Sequence, residues 1–322
     1  MKFADLHLHT RYSDGNFTPR ELVQHAARLG FAAIAVTDHD TVDAIPEALS
    51  AGEEFGIEII PGAEITCRCG TQELHMLAYL FGDSWRDARL RAVLDYATEI
   101  RKTRVKQFVA KLNELGFGIT VADVYAGSDC GTLGRMHVAA ALKKRGYVSS
   151  IDEAFTRFLK RGQPAYVERY RMEAAETIGH IRRAGGVAVF AHPGLNNLDA
   201  RIHDMVDQGL GGIEVWHTAH SPAQVNRYLE TTEKLGVCAT GGSYCHGAGR
   251  DGMLLGKIKL PYERVEALKQ RATNSVVPGS PTLREETSRS ETPARSGDLR
   301  RTEGNGHSVL PSTGGAGGGL VS

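Results

Sequence analysis

His7 and His9 stand two residues apart in the opening stretch "FADLHLHT". Alternation by two puts both side chains on the same face of a strand. Two imidazoles on one face can share a metal ion. A metal site needs more donors than two, so the rest of the chain must bring further ligand-type side chains to the same place. In folds where strands alternate with helices, such side chains gather at the carboxyl ends of the strands.

The hydrophobic periodicity gives that alternation. Short apolar strands are expected at Lys2–Asp5, Ala33–Thr37, Ile57–Pro61, Glu73–Leu80, Val187–Ala191, Gly212–Trp216 and Val237–Thr240. Helical patterns lie between most of them. Pro19–Leu29 carries Leu22, Val23, Ala26 and Leu29 on one face, with Thr18 as its N-cap and Gly30 as its stop. The pattern breaks between about Trp85 and Glu168, where Asp87–Leu115 reads as one long amphipathic helix followed by shorter helical pieces. The fold class is therefore α/β. The expected organisation is a β/α domain made of residues 1–84 and 169–271, with a helical insertion at 85–168. Residues 272–322 are rich in Gly, Ser, Pro and Thr, contain no aromatic residue, and are expected to be disordered.

Composition narrows the partners. Lys plus Arg and Asp plus Glu number 38 each, so no global basic field draws a nucleic-acid backbone, and long-duplex binding is not expected. The five cysteines suggest no disulfide framework. The first strand is expected from residue 2, which leaves no signal peptide in view, and no apolar run has the length of a membrane span. A reducing, cytoplasmic setting is the expectation.

Other ligand-type residues do fall at strand ends. Asp14 follows the first strand in "RYSDG". Asp38 and His39 close "AAIAVTDHD", Glu64 lies in "IEIIPGAEIT" and His75 in "QELHMLAYLF". His192 closes "GVAVFAHPG", and His246 follows "GVCATGGSYCHG". Several imidazoles with Glu and Asp suit Mn²⁺, Fe²⁺ or Zn²⁺. The carboxylates suggest more than one ion, because a glutamate can bridge two. Such clusters generate hydroxide at neutral pH and neutralise a reacting phosphate. Metal-assisted hydrolysis of a phosphate ester is the leading chemistry.

In their order, "DLHLHTRYSDG", "VTDHD", "PGAE", "LHMLAY", "AHPG" and "GGS-x-x-HG" resemble the polymerase and histidinol phosphatase (PHP) family over roughly residues 2–260. The "GRMH" at Gly134–His137 and the helical insertion resemble the branch of nucleoside 3′,5′-bisphosphate phosphatases and related 5′-to-3′ exoribonucleases. The resemblance implies a distorted seven-stranded β/α barrel and two to three divalent ions, Mn²⁺ first, with Fe²⁺ or Zn²⁺ as alternatives. It implies that His7, His9 and Glu64 hold one ion, Glu64, His75 and His192 a second, and Asp14, His39 and His246 a third. It also implies that Arg135 and His137 bind the substrate phosphate. Arginine suits that role because its planar fork matches phosphate oxygens. Asp38 is expected to orient a ligand histidine, and His217 to contact phosphate or protonate the leaving group.

One position departs from the family pattern G-S-D-x-H: here the motif reads Gly242-Ser243-Tyr244-Cys245-His246. A neutral phenol, with a pKa of about 10, is a poor ligand for these ions. A weakened or vacant first metal site with low activity is expected. The implied partner is a small nucleotide or a short oligonucleotide. Exonucleolytic action on short RNA and an impaired metal- and phosphate-binding module stay open. A C–N hydrolase also uses H-x-H after its first strand, but gives Asp14, His39 and "GRMH" no obvious use.

Overall fold

The computed structural model describes residues 1–126, 132–168, 171–247 and 252–274. Strand β1 is Phe3–Leu8, followed by helix α1 (Pro19–Arg28), β2 (Ala33–Val36), α2 (Ile45–Phe55), β3 (Glu58–Cys69) and β4 (Gln72–Tyr79). Then come α3 (Ala88–Glu114), α4 (Val121–Tyr125), α5 (Arg135–Lys144), α6 (Ile151–Ala154), β5 (Met172–Glu173) and α7 (Ala174–Arg183). The chain continues with β6 (Val187–Phe190), α8 (Ile202–Asp207), β7 (Gly212–His217), α9 (Pro222–Leu235), β8 (Cys238–Gly242), β9 (Leu260–Pro261) and α10 (Glu263–Asn274).

The sheet runs β8-β7-β6-β4-β3-β2-β1-β9, with β5 paired to β3. Its pairs are parallel except β3 with β4, β4 with β6 and β1 with β9. The sheet curls nearly shut where β1 meets the end of β8. The Tyr244 amide donates to the His7 carbonyl at 3.0 Å, and the His9 amide to that of Cys245 at 3.1 Å. At this seam a Cβ on Gly242 would lie 2.3 Å from the His7 nitrogen, so only glycine lets the two backbones approach. The short strands "AIAV" and "VAVF" are buried along their whole length, as strands covered on both faces must be.

Strand β3 corrects one sequence expectation. The Pro61-Gly62 pair predicts a strand end, yet β3 continues to Cys69. Pro61 falls where β3 changes partners: β2 pairs as far as Pro61, and the hairpin with β4 begins at Gly62. The missing amide sits at that seam, where it interrupts neither ladder. The extension places Glu64 inside the strand, and a parallel bridge from His39 to Glu64 carries the β2 strand line past Val36. Because β4 runs antiparallel, its early residue His75 arrives at the same end of the barrel as the carboxyl ends of β1, β2, β6 and β7.

The 27-residue helix α3 spans about 40 Å and serves two cores. Leu90 and Leu94 join the barrel cluster, whereas Val105, Phe108 and Leu112 pack with Val138, Leu142 and Leu159 of the helical segment. Helix α10 extends past the expected start of the tail to Asn274. The remaining tail positions lie outside the described residues.

Candidate metal centre

Glu64 is fully buried, and five histidines surround its two oxygens. His75 Nδ1 and His192 Nε2 lie 2.6 and 2.8 Å from Oε1. His7 Nε2, His9 Nε2 and His39 Nδ1 each lie 3.2 Å from Oε2. A second carboxylate, Asp14, stands 3.3 Å from His246 Nε2 and 3.8 Å from both His39 Nε2 and His9 Nδ1. The histidines hold both carboxyls well below their ordinary range against the opposing effect of burial, so both are anions.

This donor set fits divalent cations. His7 Nε2, His9 Nε2, His39 Nδ1, Glu64 Oε2 and Asp14 Oδ1 are buried without hydrogen-bond partners, although they converge on one another. Ligands at about 2.1 Å from one ion lie about 3 Å apart, which is the spacing seen around Glu64 Oε2. Among the described residues three groups bring their donor atoms within 4.8 Å: His9 with Asp14, His39 and His246; His7 with His9 and Glu64; and His39 with Glu64 and His75.

Around the donors, other side chains fix which nitrogen is free. Glu214 was missed in the sequence reading. It is buried in β7, accepts from His7 Nδ1 at 2.9 Å, and accepts the His192 backbone amide at 2.7 Å. That leaves His7 Nε2 facing Glu64, the carboxylate–histidine arrangement that orients metal ligands. The available signal was a carboxylate at an inward position of the otherwise apolar strand "GIEVWH". Burial lowers the His7 pKa, but Glu214 and Glu64 outweigh it and raise the ring to about 10.

Asp38 stands one step behind the ligand rings. It touches no ligand ring directly. Its oxygens accept from the Thr10 amide and hydroxyl and from the Ser13 hydroxyl, at 2.5–2.7 Å. Ser13 Oγ in turn lies 3.4 Å from His9 Nδ1, so Asp38 reaches His9 only through the loop it fastens.

The family model for the PHP domain matches residues 5–208. The chain belongs to the PHP domain family. Relatives of this PHP chain include a 3′,5′-nucleoside bisphosphate phosphatase of Chromobacterium violaceum, 31% identical over 80% of this chain and 91% of that protein. A 5′-3′ exoribonuclease of Haemophilus influenzae is 34% identical over 60% of this chain and 69% of that protein. Among solved structures, a protein of Bifidobacterium adolescentis assigned as a metal-dependent phosphoesterase aligns with a TM-score of 0.78 and 32% identity, over 83% of this chain and 96% of that one. An amidohydrolase of Chromobacterium violaceum, solved with bound sulfate and no metal, aligns with a TM-score of 0.74 and 30% identity, over 83% and 96%.

In the PHP chain a cavity of about 180 Å³ opens beside Asp14, His39 and His75 and is walled by α3 and α5. Arg135 and His137 both line it. Arg135 also lies 3.4 Å from Glu73, and His137 Nδ1 accepts the Gly134 amide and caps α5. Two arginines missed in the sequence reading join them. Arg101 pairs with Asp40 at 2.6 Å. Arg104 is buried, points Nε and Nη2 at the Val167 carbonyl, and has no carboxylate partner among the described residues. Burial brings the Arg104 guanidinium down to about 10, still a cation at neutral pH.

His217 ends β7 within the cluster of rings, 5.4 Å from His192 between centroids. Its Nδ1 accepts the Ala219 amide, so the buried Nε2, which has no partner, carries the proton. Burial lowers its pKa to about 3. As a neutral N–H donor it suits the phosphate contact expected of it.

Tyr244 lies half-buried in the middle. Its ring meets His7, His9 and His246 edge to face at 4.9, 5.2 and 4.6 Å. Its backbone is left-handed at φ +58°, a region that a bulky residue seldom occupies. Cys245 turns into the barrel core instead, where the Gly247 amide approaches its sulfur at 3.3 Å.

Proposed function

We propose that the chain hydrolyses a terminal phosphate ester of a small nucleotide, with a nucleoside 3′,5′-bisphosphate as the first candidate substrate. The observation that carries this reading is the buried Glu64 with histidine nitrogens on both of its oxygens, two of those histidines, His39 and His75, lining a cavity with Arg101, Arg104 and Arg135. The enzyme is a phosphoric-ester hydrolase of the metal-dependent PHP type. Bound divalent ions, Mn²⁺ first among them, would supply a hydroxide nucleophile at neutral pH and neutralise phosphate charge.

The ions would be held by His7, His9, Asp14, His39, Glu64, His75, His192 and His246. Glu214 holds the His7 ring with Nε2 forward, and Ser13, fastened by Asp38, does the same for His9. Arg135 and Arg104 supply guanidinium groups to the phosphate oxygens. His217 offers its Nε2–H to an oxygen of the same group as a neutral donor. The α3 and α5 side chains that wall the cavity limit the substrate to a nucleotide or a short chain end. The sulfate held by the Chromobacterium amidohydrolase, a tetrahedral dianion, supports an anion site in this fold.

The similarity to the Haemophilus exoribonuclease favours a second reading, removal of nucleotides from the 5′ end of short RNA. Separate assays of inorganic phosphate from a nucleoside 3′,5′-bisphosphate and of mononucleotide from a 5′-phosphorylated oligoribonucleotide distinguish the two. The first reading expects faster turnover of the bisphosphate. Turnover of the oligonucleotide alone contradicts it.

A further inference from the structure

The arginine-lined cavity beside α3 and α5 cannot hold a whole nucleotide. At about 180 Å³ it falls below the ~300–1,000 Å³ of ordinary small-molecule sites, so it has room for a phosphate while the rest of the substrate lies elsewhere. A second cavity, of about 540 Å³, borders the centre at His217. The two share no lining residue: the first meets the centre at Asp14, His39 and His75.

His217 joins the second cavity to the chemistry. Its ring lies 5.4 Å from His192 and 5.1 Å from Tyr244 between centroids. A group at the metal centre and a group in the second cavity are therefore one side chain apart. A ribose covers such a distance between its phosphate and its base.

The walls differ in kind. Among the described residues no arginine and no carboxylate lines the second cavity, so it is not built for another phosphate. Trp216, Val225, Leu254 and Ile258 make it apolar. All four are half-buried and pack only partly on the core, so folding alone does not cover them. The Arg264 guanidinium lies over the Trp216 ring at 5.0 Å and holds it in place. Flat aromatic ligands stack on such side chains. Asn226 adds an amide that both donates and accepts, as the edge of a nucleobase does.

The wall is also fixed in advance. His220, part of the lining, donates from Nδ1 to the Val215 carbonyl at 2.9 Å and accepts the Gly194 amide at Nε2 at 3.2 Å. The Thr218 hydroxyl donates to the Ser243 carbonyl at 3.2 Å. A loop tied down in this way loses little freedom when a ligand enters.

We propose that the cavity of Trp216, Val225, Leu254 and Ile258 receives the base of the nucleotide whose phosphate lies at the metal centre. The inference rests on the phosphoesterase reading above and deepens it by giving the base a place.

The test compares kcat/KM for adenosine 3′,5′-bisphosphate and for base-free ribose 3,5-bisphosphate, with Mn²⁺, in the wild type, Trp216→Ala and Leu254→Ser. A wild-type preference for the nucleotide of about tenfold or more, carried mainly by KM and cut to about threefold in either variant, is expected. Equal use of both substrates by the wild type overturns the proposal, as do variants that lower both alike. Should Trp216→Ala not fold, Leu254→Ser still decides. A dimer in sedimentation that Leu254→Ser dissociates would give the cavity to a second copy and also overturn it. A second readout does not depend on turnover. The chain has two tryptophans, and Trp85 is buried in the barrel core. Adenosine 5′-monophosphate should quench indole fluorescence in the wild type and not in Trp216→Phe, and ribose 5-phosphate should quench neither. No turnover of either substrate contradicts the phosphoesterase reading; quenching by the nucleotide then still supports the base site, and its absence overturns that too.

Discussion

Glu214 accepts the Nδ1–H of His7 at 2.9 Å, joining β7 to β1 from behind the metal centre. The same carboxylate fixes His192 through its backbone amide, at a residue whose φ of +30° is otherwise disfavoured. One buried acid therefore sets the direction of two candidate ligands on different strands.

Replacing Glu214 with Gln should weaken metal binding by about 10- to 100-fold, the usual effect of losing the partner of a ligating histidine. The amide retains the shape but can donate to Nδ1, which favours the wrong tautomer of His7. Calorimetric titration with Mn²⁺ checks this. An unchanged affinity would mean that Glu214 serves packing alone.

Metal loading should release protons. In the metal-free protein Glu214 and Glu64 raise His7 to about 10 despite its burial, so at pH 8 the ring is protonated and must lose a proton to bind an ion. Affinity therefore rises as pH approaches 10. The linkage has the opposite sign for stability without metal. A histidine raised in the folded state contributes its full stabilisation below its unfolded pKa of about 6.5 and loses it as pH climbs through 10. Titrations in buffers of different ionisation enthalpy measure the proton count. Melting curves with a chelator present measure the second effect.

Arg104 should matter more to substrate than to folding. Arg104→Met keeps the length of the side chain and removes a buried cation that has no carboxylate partner among the described residues. A charge-assisted hydrogen bond contributes about 1.5–3 kcal/mol, so kcat/KM should fall by about one to two orders of magnitude. The melting temperature should fall modestly, because the Val167 carbonyl loses both of its Arg104 donors while a buried cation is removed. A large loss of stability with unchanged kinetics would place Arg104 in the scaffold instead.

Far from the centre, Thr18 caps α1 reciprocally with Glu21, through bonds of 3.1 and 2.8 Å. Thr18→Ala should cost about 1 kcal/mol by denaturant unfolding. Turnover at room temperature should not change.

The strand and helix order was legible because strands such as Val187–Phe190 are short apolar runs and helices such as Pro19–Arg28 are periodic ones. His7, His9, His39, Glu64, His75 and His192 were legible as candidates because they break apolar runs with side chains that need partners. What stayed hidden depends on distance in space. Pro61 mimics a strand end, and only the change of partner from β2 to β4 explains its place. Glu214 looks like any single carboxylate until His7 is brought against it. Arg101 and Arg104 read as the polar part of a long helix, since nothing local says that this face turns toward the barrel. The two-residue strands β5 and β9 carry too few residues for any periodicity.

The most direct measurement is phosphate release from a nucleoside 3′,5′-bisphosphate by the wild-type chain with Mn²⁺, with and without a chelator, beside Glu64→Gln. Release that needs the metal ion and disappears in a folded Glu64→Gln is the expected result. Release that persists through chelation, or in Glu64→Gln, would contradict a metal centre built on Glu64.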